Sequence, residues 1–113
     1  MNNRTFTPKA APQISINGHV FDVKLSEIDL AQRVLDAKSF FAEMTAKETM
    51  KPEDIIAVGR HIEMAINDIC GPNAMRTMVD GAVVRIREAI ELLHIVEEEA
   101  SNAYMQELLA KHE

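Results

Sequence analysis

The chain has 113 residues, 12 Lys and Arg against 18 Asp and Glu, a net charge of -6, and an apolar fraction of 47% with few aromatics. At this length roughly two-thirds of the unfolded surface can be buried in one domain, so neither a metal nor a disulfide is needed to hold it. The acidic balance speaks against a nucleic-acid partner, which requires clustered Lys and Arg, and no apolar run approaches the roughly 18 residues that span a bilayer.

Residues 1–12 contain Arg4, Lys9, Pro8 and Pro12 but no acid. They offer no periodic apolar face, so a flexible basic arm is expected. Removing its two positive charges from -6 leaves a body of -8.

Gln13 to Leu25 reads as a β-hairpin. Ile14 and Ile16 alternate, Asn17-Gly18 suits the positive φ values of a two-residue turn, and Phe21, Val23 and Leu25 alternate again. The register sets Ile16 opposite His19 and Ile14 opposite Phe21, leaving only Val20 of the large apolar residues on the other face. A lone hairpin is marginal in water, so that apolar face needs a cover.

Ser26 is expected to cap a first helix, with Asp29 as its reciprocal partner. That helix runs to about Glu48 and turns Leu30, Ala31, Val34, Leu35, Ala37, Phe41 and Met44 inward. Pro52 fits the first turn of a second helix, which buries Ile55, Val58, Ile62, Ile66 and Ile69, with Gly59 placed to admit a close neighbour. Gly71 is expected to close it in the left-handed conformation, and Asn73 to cap a short helix of about two turns through its side chain. Ala74, Met75, Met78 and Val79 pack that helix until Asp80-Gly81 stops it.

A last helix is expected from Ala82 to about Lys111, with Val83, Ile86, Ile90, Leu93, Ala100, Tyr104 and Leu108 along one side. At roughly 45 Å it is longer than a compact domain needs, so its end should project or pack on a neighbour. The expected fold class is therefore mainly α: an N-terminal β-hairpin followed by three main helices and one short helix, with residues 13–113 as a single domain.

Reactive groups do not converge. His94 and Glu98 lie four apart, but two ligands are too few for a metal, and nothing brings His61 or Glu91 to them. Cys70, the sole cysteine, stands near Asp68 at an apolar helix end, where a small hydrophobe in a reducing compartment is the simpler reading. The chain reads as non-enzymatic, without cofactor or metal. It lacks the apolar segment of a signal peptide, so the cytoplasm is expected.

Partner binding is the remaining role. Met64, Met75 and Met78 cluster about the break between helices, where methionine either fills an irregular core or adapts to a partner. Arg85 and Arg87 begin the last helix and Glu97, Glu98 and Glu99 lie further along it, an order that opposes the helix dipole. A basic head and an acidic tail suit self-association, so a homo-oligomer is expected.

Three segments carry a family resemblance: Ile-Asn-Gly at Ile16 to Gly18, Lys-Leu-Ser-Glu-Ile-Asp-Leu at Lys24 to Leu30, and Ile-Asn-Asp-Ile-Cys-Gly-Pro-Asn-Ala from Ile66 onward, leading to Asp80-Gly81. Over Ile14 to Gly81 the chain resembles small phage and prophage proteins of the tail-assembly-chaperone type from Gram-positive siphoviruses. Asn17, Gly18, Leu25, Gly71, Ala74 and Gly81 are the matching positions. The chain departs at Asp80-Gly81-Ala82, where members often have Gly-Lys, and in its long acidic last helix. The resemblance implies a non-enzymatic assembly factor of the bacterial host cytoplasm that binds the helical tape-measure protein and brings tail-tube subunits to it. The alternative is a small acidic phage or mobile-element inhibitor that presents Glu97 to Glu99 to the basic groove of a host nucleic-acid-binding enzyme.

Overall fold

A computed structural model describes residues 3–110, and within them the chain is mainly helical behind an N-terminal hairpin. Strands β1 (Gln13–Ile16) and β2 (His19–Asp22) precede helices α1 (Glu27–Thr45), α2 (Pro52–Cys70), α3 (Ala74–Met78) and α4 (Ile86–Ala110). Lys111, the expected end of the last helix, lies outside the described residues.

The hairpin forms in the expected register, Ile14 opposite Phe21 and Ile16 opposite His19. Asn17 at φ 52 and Gly18 at φ 80 make the turn, the left-handed pair whose twist matches that of the strands. Ile14, Ile16 and Val23 are buried, while Val20 is exposed. Hydrogen bonds fasten the hairpin to the helices. Asn17 Nδ2 donates to the Met78 carbonyl at 2.8 Å, and the Lys24 N–H donates to the Ile69 carbonyl at 2.7 Å. The Tyr104 hydroxyl donates to the Leu25 carbonyl. The second of these satisfies a carbonyl at the end of α2 that has no partner within its own helix.

Ser26 Oγ accepts the Asp29 N–H at 3.2 Å, starting α1 as expected. Leu30, Val34 and Ala37 are buried and Phe41 and Met44 are half-buried. Ala31 and Leu35 are corrections: each lies one residue, or about 100°, round the helix from that line, and both are exposed. Phe40 packs sideways instead, its ring stacked on His61 of α2 at 4.5 Å. Beside it Arg33 Nε donates to Asp68 at 2.8 Å, a second α1–α2 tie.

Pro52 opens α2 as expected, and the Lys51 N–H donates to Asp54 Oδ2 at 3.0 Å. This bond, helped by the Lys47 ammonium, holds the Asp54 carboxyl below its ordinary range. Val58, Ile62, Ala65, Ile66 and Ile69 are buried. Ile55 shares their stripe yet is 46% exposed. Gly59 is also a correction, since a Cβ built on it meets nothing within 4 Å. Gly59→Ala should therefore stabilise the chain by about 0.5–1 kcal/mol, because helix-interior glycine costs that much entropy relative to alanine. A thermal melt checks this, and a lowered midpoint would mean that a neighbour presses on the site.

At the break, Gly71 has φ 111 and ψ 170, a positive φ outside the left-handed helical region. Asn73 does not cap α3 with its side chain; it takes the left-handed conformation itself, at φ 60. The capping oxygen comes from Asn67, whose Oδ1 accepts the Met75 N–H at 3.0 Å. α3 has only five residues, and Ala74, Met75 and Met78 from it enter the core. Asp80 at φ 52 and Gly81 at φ 74 then end it, with the Gly81 N–H on the Arg76 carbonyl at 2.9 Å.

α4 begins four residues later than expected. Two successive left-handed residues break the path, and the start is set by Glu88, whose Oε1 accepts the Arg85 N–H at 3.0 Å. Val83, expected inside, is 97% exposed ahead of the helix. Ala89, Leu92, Leu93, Val96 and Ala100 form the buried face. The radius of gyration is 16.7 Å, against about 13 Å for a compact domain of this length. The excess reflects both the arm and α4, whose last turns leave Met105, Leu108 and Leu109 exposed. Residues 3–12 carry neither helix nor strand. Part of them lines a hollow with Val23 to Ser26, Tyr104 and Glu107.

Candidate functional site

The helices run in directions that leave one end of the core open. Lys38 Nζ meets Glu97 Oε1 at 3.0 Å, and Tyr104 reaches back to Leu25 just ahead of α1, so α4 is antiparallel to α1. The hairpin covers the end where α1 starts and α2 stops. At the opposite end the inward stripes of three helices continue past their cover. Phe41 of α1, Ile55 of α2 and Ile86 and Ile90 of α4 converge there on adjoining hollows of about 620 and 610 Å³. Met50, in the α1–α2 connection, lines the second of them. The exposure of Ile55 follows directly: it points along the core stripe, but no element lies over it.

Charged groups edge this apolar floor. Lys38, Arg87, Glu91 and His94 line it. His94 Nε2 contacts Glu98 Oε1 at 2.9 Å, and Lys38 is held by Glu97. Among the described residues, no ion pair involves Arg87 or Glu91.

The eight candidate partner-binding residues divide. Met75 and Met78 are corrections: they are buried, Met78 completely, because α3 packs on α2 and turns them into the core. Met64 is 58% exposed but lies on the opposite face of α2 from Ile62 and Ile66, away from the hollows. Arg87 stands on their edge, and Arg85 is exposed at the start of α4. Glu97 and Glu98 are engaged within the chain, while Glu99 is exposed. Periodicity alone places Phe41, Ile55 and Ile90 in the interior and does not mark the opening. A usable signal did exist: the polar connection at Thr49 to Lys51 offers only Met50 to cover three stripe ends.

Among the described residues no group of three or more His, Cys, Asp or Glu is placed to hold a metal. Burial pushes the Cys70 thiol up to about 11, so it stays protonated and unreactive near neutral pH. Burial likewise raises the Tyr104 hydroxyl, with Glu27 and Glu107 adding to the effect. No described helix is long and apolar enough to cross a membrane. Comparison with protein-family models, with characterised proteins and with solved structures finds no match to this chain.

Proposed function

We propose that this chain is a non-enzymatic assembly factor of the tail-assembly-chaperone type, acting in the bacterial host cytoplasm. It takes an amphipathic helix of a tape-measure protein into the open end of its bundle and brings tail-tube subunits to it. The observation that supports this reading is the convergence of three core stripes on an uncovered floor. A helix with apolar residues at i, i+3, i+4 and i+7 supplies the missing fourth wall. Lys38 at the edge supplies orientation, and the apolar floor supplies affinity. The acidic-inhibitor reading has less support, because two of the three carboxylates in its acidic run are already paired within the chain.

The test is binding of a helical tape-measure segment, encoded beside this chain, to the purified protein. Ile55→Lys combined with Ile95→Lys alters two floor positions that are already nearly half exposed. The pair should weaken binding about tenfold or more, a loss of about 1.4 kcal/mol, while helix content and the melting midpoint hold. Absence of binding to both the tape-measure segment and the tube subunit, or unchanged affinity in the variant, would overturn the proposal.

A further inference from the structure

The outward face of α4 carries Arg87, Glu91, His94 and Glu98, all exposed, at spacings of four, three and four residues. Those spacings put the four side chains on one stripe of the helix. Read forward, the stripe is a cation, a carboxylate, an imidazole donor and a carboxylate. Its spacing is unchanged on reversal, whereas its polarity is inverted. A second stripe running the other way therefore meets it with opposite character at every position.

From this pattern we infer that the chain forms a two-fold dimer through antiparallel pairing of α4. Arg87 meets Glu98 of the second copy and Glu91 meets His94 of the second copy, and the two-fold repeats both contacts. The axis passes at the level of Leu92 and Leu93. A parallel pairing is opposed, because each charge would then face its own kind. Arg87 and Glu91 are the members of the stripe without an ion pair among the described residues, so both are available to a neighbour. His94 and Glu98 touch at 2.9 Å within each copy. Ile95, 45% exposed, flanks the stripe, and the two-fold brings both copies of it to the same side of the pair. A two-fold that reverses α4 keeps both α1 helices on one side of the pair. The dimer stands on the α4 stripe alone and does not require the tape-measure reading.

Sedimentation equilibrium of the full chain, without any partner, tests the inference. The wild-type protein should dimerise at low salt and dissociate progressively as salt rises, since the pairs at the edge of the contact are screened. Arg87→Glu should raise the dimer dissociation constant about tenfold or more, and so should Glu98→Arg, by setting like charges together. Both substitutions in one chain should restore association to about the wild-type level, because the stripe keeps its inverted symmetry. Circular dichroism of each variant should match wild type, as the sites are exposed. A wild-type chain that stays monomeric at low salt, single variants that associate like wild type, or a combined variant that stays dissociated would each overturn the inference.

Discussion

Ile66→Ala should lower the stability of this chain by about 2–5 kcal/mol, the range for deleting a fully buried aliphatic side chain. Ile66 is 0% exposed and lies on α2, the helix that packs on α1, α3 and α4. Its removal forfeits the transfer energy of three carbons and leaves a void whose walls belong to different elements. Those walls cannot all move inward together, which places the cost above that of transfer alone. Urea denaturation should show an earlier midpoint with an unchanged slope. Ile55→Ala is the matched comparison, because the two residues share a stripe three turns apart but Ile55 opens onto the hollow. It should cost a small fraction of the Ile66 loss. Equal losses at the two sites would mean that the bundle end is closed.

Gly71→Val should cost about 1–3 kcal/mol for a different reason. At φ 111 and ψ 170 the backbone occupies a region used almost solely by glycine. The nearest atom to an added Cβ is Lys24 Cε at 3.6 Å, an ordinary contact. The penalty is therefore conformational, and Gly71→Ala should bear most of it too. β-Branching adds stiffness at χ1. Melting curves of the two variants check this. Midpoints equal to wild type would mean that the chain leaves α2 by another route, with the nearby bond from Lys24 to the Ile69 carbonyl rearranged.

Local signals in the sequence foretell the hairpin and the starts of α1 and α2. Asn17-Gly18 between two alternating runs fixes a register, Ser26 supplies a cap oxygen, and Pro52 fits a first turn; none of these needs knowledge of the rest of the chain. Asp80-Gly81 predicts a stop with a helix directly after it, whereas α4 starts only at Ile86. Glu88, three residues beyond Arg85, was the decisive signal. Periodicity found the stripes but not their ends. Ile55 and Ile66 have the same periodic credentials, and what separates them is whether another element arrives above. The candidate site was correspondingly hard to read, since its floor joins segments centred on Phe41, Ile55 and Ile90. Met75 and Met78 show the converse: side chains suited to either a surface or a core were settled inside by the fold of α3.

The hydrogen bond from Tyr104 to Leu25 joins residues 79 positions apart, and that from Asn17 to Met78 spans 61. During synthesis the hairpin leaves the ribosome well before the elements that fasten it. A two-stranded hairpin has little stability of its own, and long-range closures are slow to form. The hairpin must therefore wait for α4, and its β-structure becomes secure only when that helix has been made.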